Sequence, residues 1–229
     1  MPSVATFRHD SLDHKEPSIR LIQLLFELSP DGLTQCTISH TTIKATYTCL
    51  SYRWGEPTPS DVILINNKRF IVRQNLLAFL RMARENDKGR NVYWIDALCI
   101  DQTNTAERNH QVAQMGRIFS GAACVYVWLG ANAELLRVLH ALVQYREKPG
   151  HSPEQERFIS SEISALETYM FANPYWRRAW IVQEKLLARA VMVWLDSNSM
   201  SLENPDCDFF GWSKTMTGKF FGANLRSVF

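Results

Sequence analysis

The stretch from residue 175 to residue 187, "YWRRAWIVQEKLL", contains three side chains whose types and spacing could do chemistry. Trp176, Trp180 and Glu184 follow one another at intervals of four, so one helix would place them along a single stripe. A carboxylate in line with two large rings is costly to bury without partners. At the wall of an aromatic crevice it could stabilise a cationic centre. The alternative is two core tryptophans with a glutamate that is solvated or paired with a neighbouring arginine.

A second set of polar and aromatic side chains follows two predicted strands. Ser51, Tyr52, Arg53 and Trp54 end one strand, and Asp96 ends another. Parallel sheets bind ligands at the carboxyl ends of their strands, so we expect the two loops to meet at one crevice. The guanidinium fork of an arginine suits phosphate oxygens, and aromatic rings pack against flat bases. The alternative for Asp96 is a capping or turn-forming role.

Composition and familiar motifs exclude several classes of protein. The formal net charge of +2 gives no footprint for nucleic acid, and no window approaches the length of a membrane span. Five scattered cysteines without a C-x-x-C pair indicate reduced, mostly buried thiols of a cytoplasmic protein, and no metal site is expected. Cys99 could be a nucleophile, but it has no histidine near it in sequence, so a buried thiol is the preferred interpretation.

Alternating patterns predict an α/β fold with a mainly parallel central sheet. We expect a hairpin turning at Asn66-Asn67, a helix capped by Asn75, and another helix capped by Asn104 with Glu107 completing a capping box. The predicted strands cover 34–40, 45–55, 62–73 (the hairpin), 91–96, 122–130 and 190–195, and further helices cover 131–147, 159–170 and 175–187. The domain organisation is a flexible leader at 1–18, a domain at 19–195 and a C-terminal extension at 196–229.

Three blocks of the chain resemble a known family. "YTCLSYRWG", "VYWIDALCIDQTNTAERNHQVAQMGRIFSGAACVYVWLG" and "WRRAWIVQE" resemble, in this order, the heterokaryon incompatibility (HET) domain of filamentous fungi. The resemblance covers about residues 45–195. It implies a module of fungal non-self recognition that can trigger cell death.

A more distant resemblance concerns mechanism. "CLSYRW", the second block and "WIVQE" look like the first strand, the second-strand-to-third-strand unit and the tryptophan-x-x-x-glutamate helix of Toll/interleukin-1 receptor (TIR) domains that cleave NAD. This resemblance implies a TIR-like (flavodoxin-like) fold. The inserted hairpin at 62–73 and an extra helix at 154–173 depart from the simple TIR pattern. The resemblance also implies that Glu184 is catalytic, that NAD is the substrate and that no separate cofactor is needed. The residues predicted to line the pocket are Ser51, Tyr52, Arg53, Trp54, Asp96 and Trp180.

The reaction is consistent with a single carboxylate. The nicotinamide of NAD is already cationic and leaves as a neutral ring, so no general acid is needed, and one carboxylate can stabilise or capture the oxocarbenium-like centre. We expect self-association on activation and protein partners of incompatibility signalling. The alternative function is a non-enzymatic, self-associating adaptor of death signalling.

Overall fold

The computed structural model describes residues 5–87, 89–131, 152–154, 157, 161, 173–178 and 187–194. The predicted helices at 131–147 and 159–170 and the predicted extension at 196–229 therefore lie wholly or almost wholly outside the described residues. Within the described part, no helix has both the length and the apolar character needed to cross a bilayer.

Eight strands and four α-helices are described. The strands are β1 (Ser18–Leu24), β2 (Gln35–Thr42), β3 (Thr48–Tyr52), β4 (Ser60–Ile65), β5 (Lys68–Arg73), β6 (Val92–Trp94), β7 (Cys124–Trp128) and β8 (Val191–Trp194). The helices are α1 (Gln74–Asp87), α2 (Asp96–Cys99), α3 (Thr105–Ala113) and α4 (Met115–Gly121), and a short 3-10 helix spans Pro174–Arg177.

All eight strands form one mixed sheet in the order β5-β4-β2-β1-β6-β3-β7-β8. The prediction that β3, β6 and β7 are adjacent central strands is confirmed, and the block β6-β3-β7-β8 is parallel throughout. The expected mainly parallel character holds throughout that block, and β2 also pairs in parallel with β4. In the other half, β1–β2 and β4–β5 are antiparallel because short connections between consecutive strands favour antiparallel pairing. The antiparallel pair β1–β6 joins the two halves.

Helices cover both faces of the parallel block. Phe79 of α1 packs edge-on against Tyr93, and Phe119 of α4 packs edge-on against Trp94. Tyr93 and Trp94 are consecutive in β6 and point to opposite faces. The helices α1 and α4 therefore lie on opposite sides, which buries both faces of the central strands and explains their nearly continuous apolar runs.

Short sequence motifs correctly predicted one turn and one helix cap. Asn66 and Asn67 have φ of 48° and 61°, the left-handed pair that turns a two-residue hairpin, as predicted. Asn104 caps α3 by accepting the amide N–H of Glu107 at 3.1 Å, which confirms the cap. Asn75 is not a cap, because α1 begins one residue earlier at Gln74.

The second half of the expected capping box is wrong, because the Glu107 carboxylate has a stronger partner. Its oxygens accept hydrogen bonds from both terminal nitrogens of Arg20, at 2.6 and 2.9 Å, and from the amide N–H of Asp101 at 2.7 Å. Arg20 is 1% exposed, and it also donates to the carbonyls of Cys99 and Asp10. This buried, bidentate ion pair ties β1 to α3 across the α2 loop.

The segment predicted as a flexible leader contacts the sheet from residue 5 onward. Thr6 forms a parallel bridge with Arg69 of β5, and the Phe7 and Leu12 side chains are buried. His9 bonds the carbonyl of Leu98 at 2.7 Å. Because two apolar side chains in this polar segment reach the core, residues 5–12 pack as part of the domain.

The predicted helix from 175 to 187 is wrong at its start. Pro174–Arg177 is a single 3-10 turn, capped by the Asn173 side chain, and Arg178 leaves it with extended φ and ψ of −74° and 137°. An extended residue between Trp176 and Trp180 breaks the helical register, so these two tryptophans do not share one continuous helical stripe. Trp180 and Glu184 lie outside the described residues.

Candidate functional site

A groove of about 800 Å³ lies at the carboxyl ends of β3 and β7. Its walls include Arg53, Glu56, Asp61, Asn75, Arg81 and Leu129. Among the four parallel strands, β3 comes first in the chain, then β6, β7 and β8. Their spatial order β6-β3-β7-β8 is therefore 2-1-3-4, with β3 as the first strand and β7 as the third. In an open parallel sheet of this order, connections leave the first and third strands toward opposite faces, which opens a crevice between their ends. The groove occupies that position.

Arg53 stands directly after β3 and faces this groove. Its side chain is 45% exposed and forms an ion pair with Glu56 at 3.8 Å, while Glu56 itself is 82% exposed. An exposed pair of this length is weak, so Arg53 can exchange Glu56 for another anion at little cost. Arg53 therefore lines the groove, and its predicted role in binding a ligand stays a prediction.

Asn75 holds the ends of β3 and β7 together, a role that sequence reasoning missed. Its amide nitrogen donates to the carbonyl of Arg53. Its side-chain oxygen accepts the indole N–H of Trp128 at 2.9 Å. Gly130 follows β7 with φ of +98°, and a Cβ there would lie 3.5 Å from the same Asn75 oxygen. One asparagine in the first turn of α1 thus joins the two strand ends that border the groove.

Trp54 and Asp96 bring the second pair of strand ends together. The indole N–H of Trp54 donates to one carboxylate oxygen of Asp96 at 2.8 Å, and the other oxygen accepts the amide of Ala97 at 2.7 Å. Asp96 is the first residue of α2, whose N-cap is Ile95 without a side-chain cap bond, so the alternative capping role is not confirmed. Its carboxylate instead contacts the β3 loop through Trp54. The loops after β3 and β6 therefore meet, as expected, but neither Trp54 nor Asp96 is among the residues that line the groove.

Arg73, at the end of β5, completes this contact from the other side. Its guanidinium lies 5.2 Å from the ring centroid of Trp54 and donates to the carbonyl of Gly55 at 2.5 Å. A cation over an indole face is the strongest of the cation–π geometries. Trp54 is therefore held between a cation on its face and a carboxylate at its N–H.

Tyr52 is buried beneath these loops. Burial raises the pKa of the Tyr52 hydroxyl well above its ordinary value, and the Asp96 carboxylate adds to the rise, while Arg178 and Arg73 oppose it. The phenol therefore stays neutral at physiological pH and can act only through hydrogen bonding or packing.

Ser51 faces the same side of the sheet as Cys49, two residues earlier, and is fully buried. Its hydroxyl lies 2.5 Å from the Tyr175 hydroxyl and accepts a bond from Arg178 at 3.1 Å. The Arg178 guanidinium also lies 5.5 Å from the Tyr175 ring centroid. Sequence analysis expected Ser51 at the pocket, but it did not name the two residues that contact it, since they are more than 120 positions away.

The structure describes only one of the three remaining candidates, which are Trp180, Glu184 and Cys99. Trp180 and the predicted catalytic Glu184 lie outside the described residues, so their roles stay predictions. Cys99 is fully buried, which confirms the preferred interpretation of a buried thiol, and this burial raises its pKa to about 12. Within the described part of the chain, no three histidine, cysteine or acidic residues are grouped to hold a metal ion.

The sheet order, the groove at the ends of β3 and β7, and the meeting loops define the chain as an α/β protein with a ligand-sized crevice at its parallel strand ends. The model of the heterokaryon incompatibility protein (HET) family matches residues 47–184, more than half of the chain. The chain therefore belongs to the HET family.

One curated relative extends this result. The chain is 33% identical over 175 residues to heterokaryon incompatibility protein 6, OR allele, of Neurospora crassa. The alignment covers 67% of this chain and 26% of that protein, so the chain spans about a quarter of the relative's length. No solved structure matches the chain.

Proposed function

We propose that this chain is a cell-death effector module of fungal non-self recognition, and that it hydrolyses NAD at the nicotinamide–ribosyl bond. The family and the name of the relative support the incompatibility role. The resemblance of "CLSYRW" and "WIVQE" to NAD-cleaving TIR domains motivates the chemistry.

The observation that carries the proposal is the groove at the ends of β3 and β7. Its volume of about 800 Å³ is within the range of small-molecule and cofactor sites. It contains two guanidinium groups, Arg53 at the strand end and Arg81 two turns into α1. The groove also contains the carboxylates of Glu56 and Asp61, so an anionic centre, such as the pyrophosphate of a dinucleotide, would bind at the two arginines and displace Glu56 from Arg53.

In the proposed reaction, the bond between C1′ of the ribose and the nicotinamide nitrogen breaks. The bonding electron pair leaves with the ring, which becomes neutral, and the ribose carbon becomes cationic. Glu184 stabilises this centre through its carboxylate and accepts the proton of the water that adds to C1′. The products are nicotinamide, ADP-ribose and one proton. Arg53 would hold the pyrophosphate and Trp180 would supply an apolar wall. Trp54, which does not line the groove, would support the loop that carries Arg53.

The decisive experiment measures nicotinamide released from NAD by the purified chain, both in dilute solution and under crowding that promotes assembly. Glu184→Gln keeps the size of the side chain and removes its charge. It should lower the rate by about 10²-fold or more if the carboxylate supplies a main electrostatic contribution. Glu154→Gln, at an exposed position, is the matched control and should leave the rate unchanged.

Two outcomes would remove the enzymatic proposal. One is wild-type release of nicotinamide by a normally melting Glu184→Gln protein. The other is silence of the wild-type chain in both dilute and assembled samples. Cell killing that survives Glu184→Gln would favour the non-enzymatic adaptor instead.

A further inference from the structure

The outer edge of β5 has backbone groups that point away from the sheet at every second residue. In the two-residue hairpin, Ile65 and Lys68 flank the turn, and they are the first hydrogen-bonded pair of the β4–β5 ladder. Bonded pairs then recur at alternate positions, so the N–H and C=O groups of Arg69 and Ile71 and the N–H of Arg73 point away from β4. The C=O of Arg73 belongs to α1, which begins at the next residue. The contacts of Arg69 agree: its N–H donates outward to Ala5 at 2.9 Å, and its C=O accepts from Phe7 at 2.8 Å.

The amino-terminal segment covers only the first of these positions. Thr6 pairs in parallel with Arg69, and the chain then turns off, with Phe7 packing against Phe70. Among the described residues, no backbone group bonds the outward N–H or C=O of Ile71. The Ile71 side chain is 69% exposed, the most exposed of the large hydrophobic residues in the described part. A ninth strand position is therefore occupied at one end and open at the other.

The charge at this edge indicates what could complete it. Lys68 and Arg69 are exposed, Arg73 is half-buried, and β5 contains no acidic residue. A second copy pairing through the same edge would bring these cations together, and like charges opposite one another destabilise a strand pair. An extended segment with acidic side chains would instead place opposite charges beside them, and backbone bonding of this kind selects a peptide.

We propose that the outer edge of β5, from Ile71 to Arg73, accepts an extended acidic segment of a partner protein as an added strand. The segment bonds the free N–H and C=O of Ile71, lays an apolar side chain beside that isoleucine, and pairs its carboxylates with Lys68 and Arg69. This surface belongs to the mixed half of the sheet, and it does not depend on the reaction proposed above.

The test uses the whole chain and short synthetic peptides in which acidic and β-branched residues alternate, labelled for fluorescence anisotropy. The acidic peptide should bind, and a peptide with lysine at each acidic position should not. A third peptide, N-methylated at alternate amides, keeps its charges but cannot donate along one edge. It should bind at least about tenfold more weakly, since loss of one or two backbone bonds has that effect.

Two protein variants sharpen the result. Ile71→Pro removes an outward N–H without touching the β4 ladder, so it should weaken binding to a similar extent. Arg69→Glu should weaken binding, whereas Arg117→Glu, an equal charge change at an exposed site on α4, should not.

The proposal is overturned if the acidic peptide does not bind, or if N-methylation leaves its affinity unchanged, which would mean attraction by charge alone. The N-methylated peptide uses the wild-type chain and so decides the matter even where Ile71→Pro fails to fold. Sedimentation of the chain alone tests whether a second copy occupies this edge instead. A dimer that Ile71→Pro converts to a monomer would assign the edge to a second copy and overturn the proposal.

Discussion

Two arginines near the central strands, Arg20 and Arg53, differ in burial and in the strength of their ion pairs. Arg20 of β1 is fully buried, bonded to both oxygens of Glu107 and to two carbonyls. Arg53, after β3, is 45% exposed and meets Glu56 at 3.8 Å. The first pair has no capacity left for a ligand, and the second is easily exchanged. The comparison separates a charge that stabilises the fold from a charge that is available to bind.

The largest expected effect comes from breaking the buried pair. Glu107→Ala leaves the Arg20 guanidinium buried without its carboxylate, so it should lower the free energy of unfolding by about 3–5 kcal/mol. Glu56→Ala is the matched control at the exposed pair and should cost about 0–1 kcal/mol. Urea denaturation of both variants measures the difference, and equal losses would show that burial does not distinguish the two pairs.

A second test replaces both partners. Arg20→Met combined with Glu107→Leu removes the buried charges together and should recover most of the stability that Glu107→Ala loses. Chemical denaturation of the double variant checks this. A double variant as unstable as the single one would mean that the carbonyl contacts of Arg20, and not its charge pairing, hold the α2 loop.

Acid should break the buried ion pair between Arg20 and Glu107. Burial alone would raise the pKa of Glu107, but hydrogen bonds from Arg20 and the Asp101 amide outweigh it, so the pKa lies below its ordinary value. A depressed pKa in the folded state means that the stabilisation is complete above the ordinary value of 4.5 and is lost as the pH falls through the lower, folded value. Stability measured against pH should therefore fall below about pH 4.5. In Glu107→Gln, which cannot titrate, the fall should be shallower, and an unchanged slope would contradict the assignment.

A smaller effect is expected at the meeting of the two strand-end loops. Trp54→Phe keeps a ring beneath Arg73 but loses the hydrogen bond to Asp96, which should cost about 1 kcal/mol. The measurement is the thermal midpoint of the variant against the wild-type chain. Trp54→Phe combined with Asp96→Asn should cost little more than Trp54→Phe alone, and full additivity of the two changes would argue against a direct coupling.

The smallest stability effect belongs to Arg53. Arg53→Ala should change the free energy of unfolding by less than about 0.5 kcal/mol, because the side chain is half in solvent and weakly paired. If the chain cleaves NAD, the same substitution should raise KM for NAD more than it lowers kcat, as expected for a residue that only holds phosphate. A large loss of stability would show that Arg53 is structural, like Arg20.

Several features of this protein were accessible from the sequence because they depend on neighbouring residues. The turn at Asn66-Asn67 needs two residues that tolerate positive φ, and the cap at Asn104 needs only the amide three positions on. The apolar runs of β3 and β7 predicted covered central strands because burial on both faces leaves no polar positions. The adjacency of the three central strands followed from the rule that strands linked by helices pair in parallel.

The tertiary structure decided the rest, because the deciding contacts join distant parts of the chain. Glu107 bonds an arginine 87 positions away instead of closing its own capping box. Asn75 serves the ends of β3 and β7 instead of capping α1, and Arg178 interrupts a helical register that the spacing of the tryptophans had predicted. A hydrogen bond to a remote partner can outweigh a local preference of a few tenths to one kcal/mol, and no pattern within one window of sequence reveals which partner will be present.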